Sequence, residues 1–176
     1  MKSARTYGLI LLLFALFGFN VPNGLSKRAL KEVEKTFAMT DFTLEPIKVT
    51  DEINTMLPSK ITGNNLFLVQ GKGSVLGFVF VDQAPSKTAK FDYLVVFDGD
   101  LKVINTKVLV YREEYGGEIG SKRWLKQFIG KSGSDRVKAG ENIDVISGAT
   151  ISVNSMTLAM DHLLQTIQIL KEKDQI

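Results

Sequence analysis

The chain has 176 residues, of which 44% are apolar and 23% charged, values typical of one globular domain with a short extra segment and not of a disordered protein. It contains no cysteine and one histidine, which excludes disulfides, thiolate nucleophiles, iron–sulfur clusters and multi-histidine metal sites. The net charge of +3 includes Lys2 and Arg5, so residues 26–176 hold 20 basic against 19 acidic residues with no basic run, which excludes nucleic-acid binding. Any redox chemistry therefore requires a bound cofactor.

The N-terminus has the pattern of an export segment. Lys2 and Arg5 precede the apolar stretch YGLILLLFALFGF at positions 7–19, like the charged and apolar regions of a secretory signal. In a helix this stretch reaches roughly 20 Å, which is less than the ~30 Å core of a bilayer. We predict that residues 1–25 are a signal peptide, with an uncleaved short membrane anchor as the alternative. Either one places the rest of the chain in the periplasm or on the outer face of the cytoplasmic membrane.

Residues 26–64 are predicted to form a helical and irregular segment. Its first part, residues 26–36, is rich in helix formers with apolar side chains at helical spacing, and Ser26 can cap that helix. Two prolines interrupt the pattern further on, and residues 49–56 are predicted to form a second short helix.

Residues 65–176 are predicted to form the main domain. Hydrophobic residues alternate with period two in its first half, which predicts four strands, at residues 66–70, 75–82, 93–97 and 103–111. A short helix is predicted at residues 121–129, and a long amphipathic helix from about Ser152 to the end of the chain. This order predicts an α+β fold, in which a mainly antiparallel sheet is packed against a short N-terminal helix and a long C-terminal helix.

The segment Asp144-Val145-Ile146-Ser147-Gly148-Ala149-Thr150 is a turn of small residues that leads into the last helix. Gly148 can adopt a positive φ, and Thr150 places a hydroxyl beside the helix start. The first N–H groups of a helix are unpaired and its dipole favours negative charge, so a phosphate on Thr150 would find hydrogen-bond donors there. From these residues alone, the alternative is that Ser147 or Thr150 caps the helix.

The string D-x-x-S-G-A-T resembles the flavinylation motif of the FMN-binding domain family, which includes flavin-carrying components of the sodium-translocating NADH:quinone reductase and of the Rnf electron-transfer complex. The resemblance implies that FMN is attached through its phosphate to Thr150 by a flavin transferase that uses FAD and magnesium. It also implies that Asp144, Ser147, Gly148 and Ala149 are recognised by the transferase, and that the last three of these contact the cofactor.

A central block at residues 110–131 is similar to the same family. Members that belong to larger complexes have a sequence closer to H-x-E-T-P-G-L-G there, whereas this chain has Tyr111 where they often have histidine and lacks the proline. The resemblance covers about residues 65–165.

Three glycines, Gly71, Gly73 and Gly77, match an early glycine-then-strand segment of the family, but they also suggest a dinucleotide fingerprint. That fingerprint requires a helix to begin among the glycines. Because a strand pattern follows instead, we reject it in favour of a bulge or a close backbone approach.

Glu113, Glu114 and Glu118 are interpreted as loop or edge-strand charges and not as acid–base catalysts. If one of them has a role, we favour Glu118. Together with Ile119 and Gly120 it is predicted to contact the cofactor, because the flanking glycines allow the backbone to approach a flavin.

Arg112 and Trp124 are two further candidates for the site. We interpret Arg112 as half of a solvated ion pair, with a position near the cofactor as the alternative. Trp124 lies close in sequence to Leu125 and Phe128 and is interpreted as a core residue, with stacking on a flavin as the alternative.

No residue of the chain has the pattern of a nucleophile or general base acting on an organic substrate. We therefore expect an electron carrier, with redox proteins or a membrane complex as partners. Two alternatives remain: a non-redox binding module of the same fold, and an accessory subunit of a membrane redox complex.

Overall fold

A computed structural model describes residues 25–176. The predicted signal peptide or anchor, apart from its last residue, lies outside this range. Within residues 25–176, no helix combines the length and the apolar character needed to cross a bilayer.

Five antiparallel strands form one sheet in chain order, from β1 at one edge to β5 at the other. The strands are β1 Thr43–Pro46, β2 Leu66–Gly71, β3 Ser74–Pro85, β4 Lys90–Asp98 and β5 Val103–Val110. The helices are α1 Lys27–Phe37, α2 Asp51–Met56, α3 Lys122–Leu125 and α4 Thr150–Glu172, with 3₁₀ turns at Gly117–Gly120 and Lys126–Phe128. The α+β prediction and its four strands are confirmed.

Strand β4 shows why the sheet needs a helix on each face. Successive side chains of a strand point to opposite faces. Leu94 and Val96 are fully buried in the cluster that includes Val33 of α1, whereas Val95 and Phe97 are fully buried in the cluster that includes α4. Both faces of this strand are apolar, so neither can be left to solvent.

Helix α4 covers one face of the sheet with the apolar stripe that the sequence predicts. Its residues at three- and four-residue spacing are 0% or 1% exposed: Val153, Met156, Met160, Leu163, Ile167 and Leu170. Full burial of one such side chain stabilises a fold by about 1.5–3 kcal/mol. This stripe fixes the rotation of α4, and thereby the direction in which its first turn faces.

Helix α1 covers the other face and begins as predicted. The Ser26 hydroxyl accepts a hydrogen bond from the backbone N–H of Ala29 at 3.2 Å, which caps the first turn. Val33 is fully buried against the sheet.

Three local features differ from the sequence predictions. Strand β1 was not predicted, because a short edge strand that is mostly exposed and ends in a proline has no apolar alternation. The helix predicted at residues 49–56 begins at Asp51, after the cap Thr50. The helix predicted at residues 121–129 is divided into α3 and a 3₁₀ turn, a common way for a short helix to tighten at its end.

The glycine at position 77 serves a close backbone approach. Its φ is +155°, and a Cβ there would lie 2.0 Å from the carbonyl oxygen of Phe97 on β4. Gly77 lies inside a strand, in agreement with the rejection of a dinucleotide fingerprint.

Candidate functional site

Thr150 is the first residue of α4, and it is exposed. The N-cap position belongs to Ala149, which has a non-helical φ of −124°, and no side chain forms a cap hydrogen bond. The alternative that Ser147 or Thr150 caps this helix is therefore wrong. The start of α4 has a free hydroxyl beside uncapped N–H groups.

The backbone conformation of the turn before Thr150 explains why position 148 is a glycine. Gly148 has a φ of +79°, a left-handed conformation that favours glycine, although a Cβ there would meet nothing within 4 Å. The N–H of Ala149 closes the turn by donating to the carbonyl of Ile146 at 3.1 Å. Glycine is thus required here by the backbone conformation and not by a lack of space.

An open cavity of about 890 Å³ lies against the start of α4. Its volume is in the upper part of the range of small-molecule sites, about 300–1,000 Å³. Three segments form its walls, namely residues 148–152, residues 111–115 after β5, and residues 87–88 between β3 and β4. Of the predicted site residues, Gly148, Ala149 and Thr150 line this cavity.

Glu113 joins two of these walls. Its carboxylate accepts hydrogen bonds from the Ser86 hydroxyl at 2.6 Å, from the N–H and hydroxyl of Thr88 at 2.7 and 2.8 Å, and from the N–H of Ala89 at 3.1 Å. The hydrogen bond from Ser86 contributes most to a lowered pKa of Glu113, and together these bonds lower it to about 2. Glu113, interpreted from sequence as a loop or edge-strand charge, lies in the loop after β5 and ties it to the loop between β3 and β4.

Arg112 forms the ion pair that the sequence suggests. Its guanidinium donates to both carboxylate oxygens of Asp92, at 3.0 and 2.7 Å, and to the carbonyl of Lys90 at 2.8 Å. The hydrogen bond from Arg112 lowers the pKa of Asp92. Although Arg112 lines the cavity, its charge is already paired.

Tyr111 and Gly116 hold the segment after β5 against the first turn of α4. The Tyr111 hydroxyl lies 3.0 Å from the hydroxyl of Ser152. A Cβ on Gly116, whose φ is +80°, would lie 2.9 Å from the Tyr111 hydroxyl and 3.0 Å from the Cβ of Ala149. Only a glycine lets these two walls approach so closely.

Asp144, at the start of the motif, is held by its backbone. Its carbonyl accepts a hydrogen bond from the indole N–H of Trp124 at 2.7 Å, and its N–H donates to the side-chain oxygen of Gln127 at 2.8 Å. Trp124 is 4% exposed, which confirms it as a core residue. The side chains of Asp144 and Ser147 are exposed and lie outside the cavity wall.

The remaining predicted contacts lie on the 3₁₀ turn Gly117–Gly120 and not on the cavity wall. Glu118 is exposed, Ile119 is fully buried in the core and Gly120 is half-buried. Their contact with a cofactor stays a prediction.

The loop between β3 and β4, where Lys87 and Thr88 face the cavity, was not predicted to be part of the site. A polar Ser-Lys-Thr turn between two strands was its only local signal. Such a turn does not by itself indicate a binding wall.

Comparison with known proteins finds matches for the part of the chain that contains the cavity. Residues 87–165 match the family model of the FMN-binding domain, and they contain all three walls of the cavity. Among solved structures, the chain is similar to NqrC of Shewanella oneidensis, with 19% identity and a TM-score of 0.49 over 74% of this chain and 70% of that one. Comparison with the curated proteins gives no match. The resemblance stated from the sequence motif is confirmed over residues 87–165, which match the model of the FMN-binding domain.

Proposed function

We propose that the chain is an exported flavoprotein with one FMN attached by a phosphoester to Thr150, and that it transfers electrons at the outer face of the cytoplasmic membrane. The observation that carries the proposal is the exposed, uncapped Thr150 hydroxyl at the wall of an 890 Å³ cavity. This hydroxyl lies inside the segment that matches the FMN-binding domain.

The start of α4 fits a phosphate. The first N–H groups of the helix have no side-chain cap, and its first turn contains no acidic residue. Such a helix end combines unpaired donors with the positive end of the dipole. A phosphodiester on Thr150 would lie beside these donors without displacing an existing partner.

The cavity wall also fits a flat aromatic ring. Tyr115 is 80% exposed and Ile151 is 52% exposed, and both line the cavity next to Thr150. Large apolar side chains so exposed beside a free hydroxyl are suited to cover a ring system. Bound there, FMN would supply one- and two-electron chemistry, and the protein would supply position and electrostatics.

Attachment requires a separate flavin transferase that uses FAD and magnesium. The Thr150 hydroxyl would bond to the FMN phosphorus of FAD, AMP would leave, and the hydroxyl proton would pass to solvent. Asp144, Ser147 and Gly148 form an exposed strip before Thr150, while Trp124 fixes the Asp144 carbonyl. We propose this strip as the surface that the transferase recognises.

The proposal of export is supported by the sequence pattern of the N-terminus. The basic residues and apolar stretch at the N-terminus favour transfer across the membrane. Outside the cell a dissociable flavin would be lost by dilution, whereas a covalent tether keeps its effective concentration high. Redox proteins or a membrane complex would donate and accept the electrons.

The test is the mass and fluorescence of the full chain co-expressed with a flavin transferase. The wild type should gain the mass of one FMN unit and fluoresce in a gel after denaturation, and Thr150→Ala should do neither. Thr88→Ala changes another threonine of the same cavity and should keep the flavin. A wild-type protein without added mass would overturn the proposal and favour the non-redox module. Stable co-purification with membrane proteins would instead favour an accessory subunit.

A further inference from the structure

The charged side chains of the cavity wall are not equally available. Of the described residues that line it, Lys87, Arg112, Glu113 and Glu114 are charged. Arg112 is paired with Asp92, and the Glu113 carboxylate is occupied by the loop between β3 and β4. Among residues 25–176, neither Lys87 nor Glu114 has an ion pair or a side-chain hydrogen bond. Lys87 is thus the available cation of this wall.

The backbone around Lys87 is fixed on both sides. Ser86 donates its N–H to the carbonyl of Ala89 at 2.8 Å, which closes a tight turn. Glu113 then holds the side chains of Ser86 and Thr88 and the N–H of Ala89. The base of Lys87 therefore keeps its place at the cavity while its side chain remains exposed.

We propose that Lys87 is the cation that faces the flavin on Thr150 and raises its midpoint potential, and that Glu113 is the positioning residue that holds Lys87 there. The inference rests on the proposed function, because it requires FMN at Thr150. Each electron that the ring accepts from a donor without a proton adds one negative charge to the site. A nearby cation stabilises the negatively charged reduced ring more than it stabilises the oxidised ring. It therefore favours reduction of the flavin.

The other charges of the wall do not supply this effect. The Arg112 charge is compensated by the two carboxylate oxygens of Asp92. The helix N–H groups would be shared with the phosphate of the tether. Glu114 has the opposite sign and would lower the potential if it approached the ring.

The experiment is a redox titration of the purified full chain after mass spectrometry has shown FMN on it. Lys87→Gln should lower the midpoint potential, Lys87→Arg should restore it, and added salt should reduce the difference. Lys102→Gln is the matched control, because Lys102 is exposed at the opposite end of β4. The midpoint potential of this variant should equal that of the wild type. Equal potentials in Lys87→Gln and Lys102→Gln would overturn the inference. Absence of FMN from the wild type would overturn the proposed function instead.

Glu113→Gln tests the positioning role by the sign of its effect. Removal of a carboxylate charge by itself raises a flavin potential, whereas release of Lys87 lowers it. We expect a lower potential, and no further decrease when Glu113→Gln is added to Lys87→Gln. A higher potential in Glu113→Gln would contradict the positioning role.

Discussion

The hydroxyl oxygens of Tyr111 and Ser152 lie 3.0 Å apart, so the residue that follows β5 is bonded to the first turn of α4. Ser152 is only 3% exposed, and the Tyr111 ring also packs on Phe91 of β4, with the ring centroids 5.9 Å apart. One side chain thereby connects the sheet to the helix turn that contains Thr150. This contact positions the first turn of α4, and with it the proposed attachment site, relative to the sheet.

Tyr111→Phe should lower the free energy of unfolding by about 1–3 kcal/mol, because the buried Ser152 hydroxyl loses its partner while the ring contact is kept. Urea unfolding measures the change. Tyr115→Phe removes the same hydroxyl from a side chain that is 80% exposed, and should change the free energy by less than about 0.5 kcal/mol. Equal effects in the two variants would show that the bond to Ser152 contributes nothing.

Gly116→Ala should destabilise the fold more than Gly130→Ala. The two glycines have nearly the same φ, +80° and +81°, but a Cβ on Gly116 meets Tyr111 and Ala149 whereas one on Gly130 meets nothing within 4 Å. Left-handed strain alone costs about 1–2 kcal/mol, which is the effect expected for Gly130→Ala. Denaturant unfolding measures the loss of unfolding free energy in both variants, and the difference between them is the cost of the close approach at Gly116. Equal losses would show that the close approach contributes nothing.

The bonds of Glu113 predict a pH dependence of stability. Its pKa is lowered from 4.5 to about 2 in the folded protein, so its contribution is present above the unfolded pKa and is lost as the pH falls through the folded pKa. The wild type should therefore melt at a higher temperature than Glu113→Gln at pH 7, and nearly as much higher at pH 5. The difference should shrink between about pH 4.5 and pH 2.

Melting curves of the two proteins over this pH range provide the test. The lowered pKa of Asp92 and of Asp135 is common to both proteins, so it cancels in the difference. A difference that stays constant down to pH 2 would contradict the role of the Glu113 carboxylate.

Trp124→Phe should slow flavin attachment several-fold, because the Asp144 carbonyl loses the indole N–H that holds it. Phe128→Leu also reduces the volume of a core side chain, one that packs on Trp124, but it leaves the bond to Asp144 intact. Time courses of flavin incorporation by a transferase compare the two. A similar slowing in both variants would assign the effect to general loss of packing.

The sequence predicts those parts of the fold that depend on local patterns. The buried stripe of α4, the strand alternation and the Ser26 cap are each encoded within a few residues, so periodicity and capping rules find them. Strand β1 was not predicted, because an exposed edge strand needs no apolar alternation. Helix α3 was predicted too long, since a short apolar segment does not distinguish an α-helical turn from a 3₁₀ turn.

The candidate site was predicted only in part. The motif through Thr150 is contiguous in the chain and was found directly. The contacts of Glu113 with Ser86 and Ala89 join residues 24 to 27 positions apart, and no local pattern predicts such a pairing. The position of Lys87 at the cavity depends on the fold, which places its loop beside the start of α4.

FMN attachment is tested most directly by the mass of the peptide that contains Thr150, isolated from the protein after co-expression with a flavin transferase. We expect that this peptide carries one FMN unit and that fragmentation assigns the unit to Thr150, with the peptide that contains Thr88 unmodified. An unmodified Thr150 peptide from protein made with an active transferase would contradict FMN attachment at Thr150, as would FMN on any other residue.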